Sequence, residues 1–200
     1  MSEVSGQGAG GSSTTPPRQP ASSVFSGGRQ RVYRQERDRE FQIEPGEGLQ
    51  FKLVAGPADL GSCGTVLRSA FGLVGCLKAC LKVATSSRML YIVISEDRIV
   101  NWGWISLSFC RYYPVAEKDV VFGPVQTEAA CRGNGYATWG LKHAMNALVR
   151  RGYRVFFIDT SHDNLAMQRV IDHCGFGAPI SSYLREGGQA TSRPEGRGAA

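Results

Sequence analysis

The chain has 200 residues, 42% of them hydrophobic, and a formal net charge of +6. That length suits one domain with tails. The charge is spread, +2 over residues 1–40, +3 over 41–183 and +1 over 184–200, so the dense basic stripe of a duplex binder is missing and nucleic acid is not an expected partner.

Residues 1–47 differ in composition from the rest of the chain. The first 28 are rich in Gly, Ser, Thr, Pro and Gln, and Gln30 to Glu40 is dominated by Arg and acids. Such a segment buries too little apolar surface to offset its ordering entropy, so residues 1–47 are expected to be a disordered tail. Residues 185–200 are read the same way, which leaves 48–184 as the folded domain. The start lacks the basic and then apolar pattern of a signal peptide. No apolar run approaches the ~18 residues of a membrane span. The 6 cysteines form no C-x-x-C pair. They read as reduced thiols of a cytoplasmic protein that needs no metal.

Leu49 to Val54 is a predicted strand, ended by Gly56-Pro57. Leu60, Cys63, Val66/Leu67 and Ala70 recur at helical spacing. After Gly72, so do Val74, Leu77, Cys80/Leu81 and Ala84, which gives a second helix. Leu90–Ser95 and Ile99–Cys110, joined by a tight Glu-Asp-Arg turn, form a predicted hairpin. Alternation in its second strand puts Trp102 and Trp104 on one face and Asn101, Gly103 and Ile105 on the other. Asp119–Thr127 is the next strand. Its Gly123-Pro124 removes a ladder donor and so implies an edge or a bulge. A helix over 136–151 stops at Gly152. Then come an apolar strand over 153–159, a helix over 164–174 closed by Gly175, and a short strand over 177–184. The order β-α-α-β-β-β-α-β-α-β predicts an α+β mixed sheet, mostly antiparallel, with one parallel βαβ crossover between strands 119–127 and 153–159.

The most informative residues are Arg132-Gly133-Asn134-Gly135-Tyr136-Ala137, placed between that strand and the 136–151 helix. A glycine-rich turn opening a helix presents unpaired N–H groups at a positive dipole end, and Arg132 adds a planar cation. This is a pyrophosphate site in physical terms. A P-loop is excluded because no Gly-Lys-Ser/Thr occurs. The dinucleotide fingerprint is excluded because Thr138 stands where its third glycine belongs. What remains is Arg-x-x-Gly-x-Ala.

That motif resembles the pyrophosphate loop of the GNAT family (GCN5-related N-acetyltransferases). A second family motif is matched by Asn164, Met167, Gly175 and Phe176 at the right spacing, and the element order is also that of the family. The resemblance covers about residues 49–183. It implies an acyl-CoA acyltransferase fold and acetyl-CoA as cosubstrate, with a small amine or amino sugar as acceptor, favoured over a protein lysine. A homodimer is compatible with it. By the same resemblance, Val125, Gln126 and Thr127 should meet the pantetheine arm in a gap beside the bulged strand. Arg132, Gly133, Asn134, Gly135, Tyr136 and Ala137 should hold the pyrophosphate, and Asn164 should lie near the sulfur. A backbone N–H near Val125 would stabilise charge on the thioester oxygen. The family's Tyr in the second motif, which protonates the leaving thiolate, is here Ile171. Tyr183 or water could replace it, and a CoA thiol is acidic enough to leave largely as thiolate near neutral pH without it. Asp119, thirteen residues before Arg132, stands where histone-type members carry a catalytic Glu, and it is the candidate general base. Read on its own, Asp119 is more often a solvated acid at a strand end than a base. The three histidines, 143, 162 and 173, read as structural or surface residues. A non-catalytic acyl-CoA-binding sensor or scaffold is the alternative that the missing Tyr leaves open.

Overall fold

The computed structural model describes residues 28–84, 88–186 and 189–191. The chain folds as β1 (Arg29–Glu36), β2 (Leu49–Val54), α1 (Pro57–Ala84), β3 (Arg88–Ser95), β4 (Arg98–Leu107), β5 (Val120–Thr127), α2 (Tyr136–Arg150), β6 (Val155–Ser161), α3 (Leu165–His173), β7 (Ser181–Glu186) and β8 (Gln189–Thr191). The strands form one sheet in the order β2-β3-β4-β5-β6-β1-β7-β8. Among the described strands only β5 and β6 run parallel, and α2 is their crossover. The α+β mixed sheet with one parallel crossover is therefore the observed architecture.

Two hydrophobic layers cover the sheet. On one face Leu141, Ala144, Met145, Leu148 and Val149 of α2 recur at i, i+3, i+4, i+7 and i+8, the spacing of a single helical stripe. They pack with Phe122, Phe156, Ile158 and with Ile171 of α3. Each fully buried residue of this size stabilises the fold by ~1.5–3 kcal/mol. The approach of α2 to the sheet is close at Gly140. A Cβ there would lie 2.7 Å from Val93 and 2.8 Å from Asn101 Oδ1. On the other face α1 packs Cys63, Leu67 and Val83 against Leu90 and Ile92, with Trp102 and Trp104 at the margin. Helix α1 is broken at Gly72, whose φ of 67° and ψ of 175° are not helical. Its two arms are the two helices expected from the sequence.

The largest correction falls in the expected N-terminal tail. Residues 29–36 are not outside the domain. They form β1, which pairs with β6 from Gln30–Ser161 to Glu36–Val155 and with β7 from Arg29–Leu184 to Val32–Ser181. Its sequence is mostly polar, half of it charged, because little of it faces a core. Val32 and Tyr33 are its buried apolar side chains, and the strand is defined by ladders to elements more than a hundred residues away. Residues 37–48 then cross α2. Phe41 N–H donates to Asn146 Oδ1 (2.7 Å) and Asn146 Nδ2 to the Phe41 carbonyl (2.9 Å). Trp139 Nε1 donates to the Glu44 carbonyl (3.3 Å), and Arg150 pairs with Glu40. At the other end, Arg185 and Glu186 belong to β7 and 189–191 to β8, so the tail expected over 185–200 begins later than read. Its residues 187–188 and 192–200, and residues 1–27 of the first tail, lie outside the described residues.

Smaller differences have local causes. β4 stops at Leu107 because Ser108 takes a left-handed φ of 54° and donates its N–H to the Asp119 carbonyl at 2.8 Å. β6 starts at Val155 because Tyr153 N–H closes the end of α2 on the Leu148 carbonyl.

Candidate active site

The site is built where β5 leaves β6. The two strands pair over Val120–Phe156, Val121–Phe157 and Phe122–Ile158, and no further. Beyond Phe122 comes Gly123-Pro124, where the β4–β5 register shifts between Gly103 and Ile105. Proline cannot donate to a ladder, so the strand bulges and the rest of β5 follows β4 alone. Thr127, Gln126 and Val125 pair with Asn101, Trp102 and Gly103. The Asn101 side chain, fully buried, fixes this arm, donating Nδ2 to the Gln126 carbonyl (2.8 Å) and to Thr127 Oγ1 (2.9 Å). The result is a wedge between β5 and β6, opening towards the C-terminal ends of both strands.

The glycine loop sits at the end of this wedge. After Thr127 a 3-10 turn over Ala129–Cys131 leads to Arg132, whose Nε donates back to the Thr127 carbonyl at 3.4 Å. Gly133 and Gly135 have φ of 87° and 75°, with nothing within 4 Å of a Cβ built on either. Their requirement is therefore conformational, because a left-handed φ strains any residue with a Cβ. Gly135 is the N-cap of α2 and no side chain caps the helix. The first-turn N–H groups of Tyr136 and Ala137 thus point out of a positive helix end beside an exposed guanidinium, a geometry that suits an anion. A cavity of about 610 Å³ adjoins the loop, with Asn134, Gly135, Tyr136 and Thr138 on one wall and Lys142 and His173 on others.

The remaining sequence candidates fall in different places. Asn164 caps α3, its Oδ1 accepting Met167 N–H at 3.1 Å. Ile171 is buried in the main core, so the α3 position resembling the family's acid carries an apolar side chain. Asp119 lies at the foot of β5, before its pairing with β6 begins. It is buried, and its Oδ2 accepts Ala116 N–H at 2.7 Å, closing the 116–119 turn. Four residue steps along the strand, ~13 Å, separate it from Gly123. Tyr183 is buried in β7 and donates its hydroxyl to Asp159 Oδ2. His143 is held between Trp139 (3.9 Å between centroids) and Phe51 (5.4 Å), and burial followed by the Arg150 charge lowers its pKa.

Asp159 is the residue that sequence reasoning missed. It follows Ile158, the last β6 residue paired with β5, and so stands at the apex of the wedge. Alternation places it with Phe157 on the α1 face of the sheet, opposite Phe156 and Ile158. Around it lie Tyr183, Tyr113 and Tyr112. Tyr112 stacks on Tyr183 at 5.2 Å, Tyr113 tilts against it at 6.2 Å, and the Arg185 guanidinium lies over the Tyr112 ring at 5.2 Å. Burial raises the Asp159 pKa above the ordinary carboxylate range, against the Tyr183 hydrogen bond and the Arg185 charge, which lower it. Burial and the neighbouring Asp159 push the Tyr183 and Tyr113 phenols up beyond their usual range. The Tyr113 hydroxyl is buried with no hydrogen-bond partner among the described residues. A carboxylate poised to hold a proton, beside a phenol that keeps its own, is the electrostatic pattern of an acid–base site. One signal in the sequence pointed here: an acid ending an apolar parallel strand lies where open sheets place their ligands.

Among the described residues no group of three or more His, Cys, Asp or Glu could hold a metal ion. Among them, too, no helix is long and apolar enough to cross a membrane.

A bulged strand splayed from its parallel neighbour, with a glycine anion loop at the head of the crossover helix, defines an acyl-CoA acyltransferase fold. Family comparison agrees. The model of the acetyltransferase (GNAT) family matches residues 76–176, and the chain belongs to that family. No curated protein matches it in sequence. Solved structures share the fold at low identity. A tandem GNAT protein from the clavulanic acid biosynthesis pathway superposes with a TM-score of 0.57 at 14% identity, over 78% of this chain and 52% of that one. A GCN5-related N-acetyltransferase from Sphaerobacter thermophilus gives 0.55 at 16%, over 79% and 50%. An aminoglycoside N-acetyltransferase in complex with CoA gives 0.51 at 13%, over 70% and 95%. The chain thus spans about half the length of the first two.

Proposed function

We propose that this protein transfers the acetyl group of acetyl-CoA to a primary amine of a small acceptor. The observation that carries the reading is the wedge between β5 and β6 running into the uncapped glycine loop of α2. The loop N–H groups and Arg132 suit the pyrophosphate, and the backbone of Val125 to Thr127 suits the pantetheine arm. An N–H near Val125 would stabilise charge on the acyl oxygen. Solved relatives that carry CoA favour the same cosubstrate.

In this reading the acceptor enters from the α1 face and Asp159 takes a proton from its ammonium. The nitrogen then bonds the acyl carbon and gives its second proton to water, the carbon–sulfur bond breaks and CoA leaves as its thiolate. A thiolate is a competent leaving group near neutral pH, so an apolar residue at position 171 does not bar turnover. Tyr183 orients Asp159 through its hydroxyl; burial raises that phenol beyond its usual range and it keeps its proton, so solvent protonates the thiolate. Asp119 serves the 116–119 turn. The cysteines, free among the described residues, fit a cytoplasmic setting.

Acetyl-CoA at ~100 times its dissociation constant should stabilise the protein by ~2.7 kcal/mol, and addition of an amine should release thiol. Stabilisation without thiol release from any amine would favour the sensor or scaffold alternative, which the apolar Ile171 supports.

A further inference from the structure

A second cavity, of about 300 Å³, lies on the α1 face, lined by Phe71, Gly75, Ala79, Trp102, Trp104 and Gln126. We infer that this groove, beside the wedge of the transferase proposed above, on which the inference rests, selects as acceptor a monoamine carrying an aromatic ring. Trp102 and Trp104 come from β4, directly beside the bulge. The Trp104 backbone and Cβ are the nearest atoms to a Cβ built on Gly123, and Trp102 is the register partner of Gln126. Phe71, at the Gly72 break of α1, meets Trp102 edge to face at 5.3 Å. Gly75 and Ala79 follow at helical spacing and leave room for a ring between helix and sheet.

Position connects the groove to the chemistry. β4, β5 and β6 are consecutive in the sheet, and Trp104 and Asp159 face the same side. At least two strand spacings of ~4.8 Å separate them, more where β5 splays from β6 beyond Phe122 and Ile158. A ring on the tryptophans with a two-carbon tether puts its amine over β5, between the bulge and Asp159.

Chemistry selects the ligand. The volume is at the small end of the ~300–1,000 Å³ usual for small-molecule sites. Aromatic walls favour stacking, and beyond the two indole N–H groups Gln126 is the lone lining side chain able to hydrogen-bond a ligand. An amino sugar would bury more hydroxyls than these side chains can pair, and unpaired buried polar groups weigh heavily against binding. A polyamine or aminoglycoside would bring further positive charges to a groove with no carboxylate in its lining. The Lys82 ammonium already lies over the Trp104 ring at 4.9 Å.

The test compares phenethylamine, glucosamine and spermidine as acceptors with acetyl-CoA, by thiol release. Phenethylamine should exceed both others in kcat/KM by at least ~10-fold, the scale on which an apolar pocket discriminates. Equal or faster turnover of glucosamine or spermidine overturns the inference. Trp104→Ala should raise the KM for phenethylamine ~10-fold or more and leave acetyl-CoA stabilisation unchanged. Lys82→Glu changes an exposed residue and does not depend on the core. It should narrow the gap between spermidine and phenethylamine several-fold, and an unchanged ratio counts against the groove. Binding of phenethylamine to the CoA-loaded protein, followed by tryptophan emission, separates the two readings. No emission change at millimolar ligand overturns the groove. Thiol release failing for every amine while emission does change overturns the transferase reading instead.

Discussion

Replacement of Asp159 by Asn separates a catalytic carboxylate from a structural one, because the two roles move stability and rate in opposite directions. The side chain keeps its shape, and an Asn Oδ1 can still accept the Tyr183 hydroxyl. What disappears is a buried charge. Burial raises the folded-state pKa of Asp159 above its unfolded value of ~3.9. Below the unfolded pKa both states are protonated and the group is neutral in the balance. Above it the unfolded chain releases the proton first. Folding is therefore progressively disfavoured as pH rises, until the folded group also ionises. Each tenfold loss of acidity corresponds to ~1.4 kcal/mol. Asp159→Asn should accordingly leave the denaturation midpoint nearly unchanged at pH 3 and raise it at pH 8. Activity should fall ~10²–10⁴-fold, the range of a positioned base, with acetyl-CoA affinity intact. The wild-type rate should rise with pH through an apparent pKa above the carboxylate range, and the variant should lose that limb. Urea denaturation at the two pH values and thiol release across pH 5–9 measure both effects. A variant of wild-type rate at pH 7, or one destabilised at pH 8, would refute the assignment.

Tyr183→Phe removes the hydroxyl that lowers the Asp159 pKa, so the acidic limb of the rate profile should move to higher pH, read by the same assay. Arg132→Ala should weaken acetyl-CoA binding ~10–100-fold, the loss of a charge-assisted hydrogen bond of ~1.5–3 kcal/mol, with kcat at saturation nearly unchanged, as calorimetry and steady-state kinetics would record. Asp119→Ala should cost ~1–2 kcal/mol through the lost bond to Ala116 N–H and leave kcat/KM within about twofold; a rate loss as large as that of Asp159→Asn would restore Asp119 as the base. Gly140→Ala puts a methyl within 2.8 Å of Val93 and Asn101 and should destabilise by ~1–3 kcal/mol in thermal unfolding.

The features legible in the sequence are those written locally. Helix α2 shows its period and its glycine loop, and Gly123-Pro124 marks the bulge, because each depends on residues within one or two turns of itself. Alternation also placed Trp102 and Trp104 on the face opposite Asn101, Gly103 and Ile105. β1 was not legible, since Arg31, Arg34 and Glu36 advertise a solvated segment, and its strand conformation is imposed by β6 and β7. Asp159 was hidden for the same reason. Its environment comes from Tyr183 in β7, from the loop carrying Tyr112 and Tyr113, and from the point at which β5 departs. Asp119 stood at the expected spacing from Arg132, yet spacing along a strand does not report which turn closes beneath it.

The proposed reaction is acetyl transfer from acetyl-CoA to an amine at the β5–β6 wedge. Incubation of the full chain with acetyl-CoA and phenethylamine, followed by mass spectrometry of the amine and titration of free thiol, tests it most directly. N-acetylated amine and CoA thiol should form in equal amounts, and Asp159→Asn should lower both together by ~10²–10⁴-fold. Free thiol without acetylated amine, or acetylated amine formed equally by the Asp159→Asn variant, would contradict it.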